Sequence, residues 1–127
     1  MMKVLMITAL LSVGLFAEIQ KKNYSSGELK SETNYTSGKR EGLSKGFYRD
    51  GKVKYETNFK NNKRDGLSKS YYQNGKLKKE QLYKSGSLNG LTKAYYKSGK
   101  LKSDFTFEDD LPTGGNKYSE DGKIIEK

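Results

Sequence analysis

The sequence predicts an all-β fold, an elongated single antiparallel meander sheet built from stacked β-hairpin repeats. Three observations predict it. Tyr24-Ser25-Ser26-Gly27 recurs at a spacing of 24 as Tyr48-Arg49-Asp50-Gly51, Tyr72-Gln73-Asn74-Gly75 and Tyr96-Lys97-Ser98-Gly99. A second glycine series, Gly42, Gly66, Gly90 and Gly114, keeps step with the first. Between the turns, apolar and polar residues alternate. A short repeat at fixed period means one small unit stacked on copies of itself.

With 127 residues, 32% of them hydrophobic and 31% charged, the chain holds one domain at most and has poor material for a globular core. The periodicity, the ten tyrosines and the single proline favour an ordered array over disorder. The complete absence of cysteine rules out disulfides and thiol chemistry.

The first element differs from the rest. Met1-Met2-Lys3 is a short basic start, Val4 to Phe16 is apolar except for Thr8, Ser12 and Gly14, and Ala17 precedes Glu18. That layout predicts a signal-peptide helix over residues 1–17, too short to span a membrane as a mature helix. Its removal takes away Lys3 alone among charged residues and leaves 24 basic and 15 acidic residues. The expected location is therefore exported: periplasmic, cell-surface or secreted in a bacterium. A buried N-terminal helix, with the protein cytoplasmic, is the alternative.

Residues 18–127 form the predicted array, with units near 24–47, 48–71, 72–95 and 96–117 and a partial C-terminal cap at 118–127. Each unit has two turns. Ser37-Gly38 is echoed by Asn61-Asn62, Ser85-Gly86 and Asp109-Asp110, and Asp50-Gly51 by Asn74-Gly75 and Ser98-Gly99. Such pairs favour type I′ turns, because both central residues need positive φ. Gly27, Gly38, Gly51, Asn62, Gly75, Gly86 and Gly99 are the expected turn-building residues.

Between turns, Val53, Tyr55, Thr57 and Phe59 share one predicted face, and Lys54, Glu56 and Asn58 the other. Two-residue turns set Tyr48 opposite Val53 and Tyr55 over Gly46, whose counterparts Ser70 and Ala94 are also small. A bulge at Gly42 or its equivalents is the feature that would shift this register. Nine or ten strands at about 4.8 Å each extend on the order of 45 Å. The last unit departs: Asp109-Asp110-Leu111-Pro112 replaces the usual turn, Gly114-Gly115 interrupts the strand, and one residue is missing before Tyr118. An atypical terminal repeat blunts an open sheet edge.

The chain has no histidine, cysteine or tryptophan, which removes the usual general base and the common nucleophile pairs. Glu32, Glu56, Glu80 and Asp104 form a column that reads as a solvated Lys/Glu ladder rather than a metal or glycosidase site. In Ser44-Lys45, Ser68-Lys69 and Thr92-Lys93, adjacent strand residues point to opposite faces, so no Ser/Lys dyad forms. No cofactor and no metal is expected, and the protein is read as not an enzyme.

The run Phe47-Tyr48-Arg49-Asp50-Gly51-Lys52-Val53-Lys54, with Phe59-Lys60-Asn61-Asn62-Lys63-Arg64-Asp65-Gly66-Leu67 and its copies, covers about residues 24–125. It resembles the MORN repeat variant of bacterial proteins grouped as the YwqK family of antitoxins. The resemblance implies a stacked hairpin sheet and an interaction role, with protein or lipid contact.

The expected function is a non-catalytic, exported protein-interaction, scaffolding or cell-surface binding module. Tyr35, Tyr48, Tyr55, Phe59, Tyr72, Tyr83 and Tyr96 with Lys45, Lys69 and Lys93 make up the candidate surface. Lysine columns at 30/54/78/102, 45/69/93/117 and 52/76/100 act as strand guards or meet an anionic partner. The expected partner is an unidentified protein; an anionic lipid or polysaccharide, and a homodimer through one sheet face, are alternatives, and export disfavours nucleic acid. A YwqK-type antitoxin that masks a partner toxin is the other functional expectation.

Overall fold

The computed structural model describes residues 16–127, and the expected signal peptide falls almost wholly on residues 1–15, outside the described residues. From Phe16 to Glu126 the chain forms ten strands in one open antiparallel sheet, each strand paired with its sequence neighbours. This is the meander that the repeat predicts. No hydrophobic residue among those described is fully buried. The sheet is a single layer, and its cohesion comes from contacts between adjacent hairpins.

The two turn series follow different rules. Ser37 and Gly38 have φ of 49° and 81°, Asn61 and Asn62 of 51° and 68°, Ser85 and Gly86 of 48° and 92°, and Asp109 and Asp110 of 46° and 69°. Both central residues are left-handed in every copy, as a type I′ turn requires. These turns also stack. The amide of Asn62 donates to the Arg40 carbonyl at 3.0 Å, that of Gly86 to Arg64 at 2.8 Å and that of Asp110 to Leu88 at 3.0 Å.

The other series is not type I′. Tyr48 N donates to Lys52 O at 2.8 Å and Gly51 N to Tyr48 O at 2.9 Å, and only Gly51, at φ 90°, is left-handed. This is a three-residue loop, a type I turn closed by a left-handed glycine, and it recurs at Tyr72 and Tyr96. The expected pairing of Tyr48 with Val53 is therefore corrected: Val53 sits opposite Phe47, with a register shift next to Gly46. Val53 is out of phase with Tyr55, and Lys54 is the extra residue of the bulge.

Elsewhere the expected faces hold. Tyr55 lies opposite Gly46, and Ser44, Lys45 and Leu43 face Thr57, Glu56 and Asn58. Near Gly42 the ladder is irregular: Thr33 pairs with Ser44, but Tyr35 pairs with Arg40. Two steps on one strand match four on the other, so the bulge keeps the alternation of faces. In the last unit the corresponding shift is between Pro112 and Gly114, and it absorbs one residue fewer.

Candidate binding surface

The two faces of the sheet are built for different tasks. On one face a row of alternating charges crosses the array in register: Lys21, Glu32, Lys45, Glu56, Lys69, Glu80, Lys93 and Asp104. Lys21 and Glu32 approach to 3.4 Å and Lys45 and Glu56 to 3.9 Å. Tyrosines reinforce the row. Tyr71 donates to Glu56 at 2.8 Å, Tyr95 to Glu80 at 3.0 Å and Tyr118 to Asp104 at 3.2 Å. Burial, then the hydrogen bond to Glu56, pushes the Tyr71 hydroxyl up to about 12, and Tyr95 is raised for the same reasons.

Tyr48, Tyr72 and Tyr96 open the three-residue loops. Each donates its hydroxyl to a backbone carbonyl one repeat onward: Tyr48 to Tyr71 at 2.6 Å, Tyr72 to Tyr95 at 2.7 Å and Tyr96 to Tyr118 at 2.7 Å, with Tyr24 to Phe47 at 2.7 Å before them. The lysine columns have local partners too. Lys30, Lys54, Lys78 and Lys102 stand 5.6–5.7 Å from the rings of Tyr24, Tyr48, Tyr72 and Tyr96. Lys52 and Lys76 reach carbonyls of Gln73 and Ser98 in the next loop. Of the expected surface, Tyr48, Tyr72, Tyr96 and Lys45 thus belong to the joints between repeats, whereas Lys69 and Lys93 stand in the charge row by register and Lys69 also borders the trough described next.

Tyr35, Tyr55, Phe59 and Tyr83 come together on the opposite face, lining a trough of about 500 Å³. Its floor is a polar row paired strand to strand, Gln20, Thr33, Ser44, Thr57, Ser68 and Gln81, and the row continues past the trough to Thr92. Thr33 and Ser44 share a hydrogen bond of 2.9 Å, whereas the Ser68 and Thr92 hydroxyls have no partner. Ser44 and Ser68 are 5% and 9% exposed on a face that is otherwise open, because the larger side chains rise on both sides of them.

One wall alternates aromatic rings and guanidinium groups. Tyr35 pairs with Arg40, whose guanidinium lies 4.3 Å from the centre of the Phe59 ring. Phe59 pairs with Arg64, which stands 5.2 Å from the Tyr83 ring and donates to the Tyr83 hydroxyl at 3.2 Å. Asn62 holds Arg40 from its far side, accepting from Nη2 through its carbonyl at 3.0 Å. The other wall is Tyr55, whose ring fills the space where a side chain on Gly46 would stand. Arg40 and Arg64 were absent from the expected surface. Their signal is the repeated Lys39-Arg40-Glu41-Gly42 and Lys63-Arg64-Asp65-Gly66, which a search for lysine columns passes over.

The repeat model of the MORN repeat variant matches at residues 19–37, 40–61, 64–85 and 88–109, more than half of the chain. The chain belongs to the MORN repeat variant family. Each matched MORN unit holds one Tyr-x-x-Gly loop and the strands on either side, so the family pattern coincides with the joints just described. No curated protein matches the chain.

Proposed function

We propose that this MORN array is a non-catalytic, exported binding module that engages its partner through the trough face. One observation carries the reading. The residues repeated on the ladder face and in the loops are spent on holding one hairpin to the next, whereas the trough side chains turn outward. Arg40 and Arg64 make no ion pair among the described residues. Aromatic and arginine side chains supply most of the energy at protein surfaces that bind. The absence of histidine and cysteine from the sequence agrees with a binding rather than a catalytic role.

The test is face-selective capture. The protein carrying an affinity handle is incubated with envelope and extracellular fractions, beside Tyr83→Ala in the trough and Lys93→Gln in the ladder. Capture should fail for Tyr83→Ala and persist for Lys93→Gln; the reverse pattern removes the trough from the reading. Mass spectrometry of the N-terminus tests export, with Glu18 as the expected first residue. Met1 retained on a cytosolic protein would instead fit the YwqK-type antitoxin.

A further inference from the structure

The trough has a charge and a texture that together select a class of ligand. Its lining includes Lys22, Arg40, Arg64 and Lys69 and no carboxylate. Glu18, near its N-terminal end, already accepts a hydrogen bond from Gln20 at 3.0 Å. The complementary ligand is anionic. A lipid tail finds no purchase here, since the floor is a line of hydroxyl and amide groups, each able to donate and accept.

Arg40 and Arg64 stand one repeat apart, which is two strands, or roughly 10 Å along the array. A linear acidic chain laid along the array can therefore offer anionic groups to both arginines at once. Arg40 lies against the Phe59 ring with Nε and Nη2 on Asn62, and Arg64 lies against the Tyr83 ring with Nη1 on its hydroxyl, so each guanidinium is fixed in place and retains N–H groups that these contacts do not use. Guanidinium forks of this kind match carboxylates spaced along a chain. Tyr55, 36% exposed, packs against Gly46 and leaves ring surface open across the floor from them. Aromatic platforms of that sort stack on the C–H face of a sugar ring.

Resting on the reading of the trough as the binding face, we propose that its ligand is a linear acidic polysaccharide of the uronate type. Its carboxylates meet Arg40 and Arg64, one sugar ring packs on Tyr55, and its hydroxyls meet the row at the half-buried Thr33, Thr57 and Gln81, between the buried Ser44 and Ser68. A single-stranded nucleic acid is the competing polyanion. It would need ring faces free for bases, whereas the Phe59 and Tyr83 rings have guanidinium groups against them.

Calorimetric titration of the protein with a polygalacturonate oligomer tests this, beside a neutral cello-oligosaccharide of equal length and a thymidine oligonucleotide of equal charge. Saturable, salt-sensitive binding is expected for the uronate alone. Arg64→Gln and Arg40→Gln should each weaken it about tenfold or more, whereas Lys63→Gln, which removes the same charge at the turn edge, should leave it within about twofold. Circular dichroism melts of the three variants establish that each is folded at the titration temperature. No binding to the uronate, equal binding to the oligonucleotide, or equal losses in Arg64→Gln and Lys63→Gln overturns the proposal. If the uronate fails while the capture experiment still loses its partner in Tyr83→Ala, this inference falls and the binding-module reading stands.

Discussion

The Tyr72 hydroxyl donates to the backbone carbonyl of Tyr95, one repeat onward, at 2.7 Å, and the same bond joins Tyr48 to Tyr71 and Tyr96 to Tyr118. A single-layer sheet with no fully buried hydrophobic residue among those described depends on such joints. Tyr72→Phe keeps the ring and its lysine neighbour but removes the donor. The expected loss is about 0.5–1.5 kcal/mol of unfolding free energy, read by urea denaturation. Tyr48→Phe should cost a similar amount.

The ladder face has one vacancy in its tyrosine series. Tyr71, Tyr95 and Tyr118 each donate to the carboxylate of the preceding strand, but Phe47, the equivalent residue two places beyond Glu32's partner Lys45, has no hydroxyl. Phe47→Tyr should complete the series and stabilise the array by up to about 1 kcal/mol. A raised thermal midpoint checks it, and the gain should vanish in the double variant with Glu32→Gln if the carboxylate's charge is what strengthens the bond.

The raised tyrosines set an alkaline limit. In the unfolded chain a tyrosine hydroxyl ionises near pH 10, but in the fold Tyr71 holds its proton to about 12. Between these values the unfolded state binds fewer protons, so stability falls as pH rises. The contribution is full below about pH 10 and is lost through pH 12. Tyr71→Phe should be less stable at neutral pH yet lose less stability over that alkaline window. Phenolate absorbance of the folded protein should include a step near pH 12 that Tyr71→Phe removes.

Much of this was legible because the repeat states each rule several times. Asn62 and Asp110 stand where other copies carry Gly38 and Gly86, so the need for positive φ can be read from the sequence alone. The type of the other turn was not legible. Asp50-Gly51 is common to a two-residue type I′ turn and to a type I turn ending in a left-handed glycine, and the choice rests on whether Tyr48 belongs to the strand or to the loop. The candidate surface divided for a related reason. Period two sorts side chains by face but does not reveal which tyrosine has a carbonyl within reach in the next repeat.

Gly46 tests how local that packing is. A Cβ on Gly46 would overlap the Tyr55 ring, whereas its counterparts Ser70 and Ala94 carry side chains in the array as it stands and share Lys79 as a cross-strand neighbour. Gly46→Ala should therefore cost about 1–3 kcal/mol, although alanine favours neither turn nor bulge and glycine gains backbone freedom on unfolding. Ser70→Ala should cost well under that. The two effects separate in a cycle with Tyr55→Ser: once the ring is gone, Gly46→Ala should become neutral or stabilising. If the double variant instead sums the two single losses, the ring is not what holds position 46 to glycine, and backbone geometry at the neighbouring bulge is the cause.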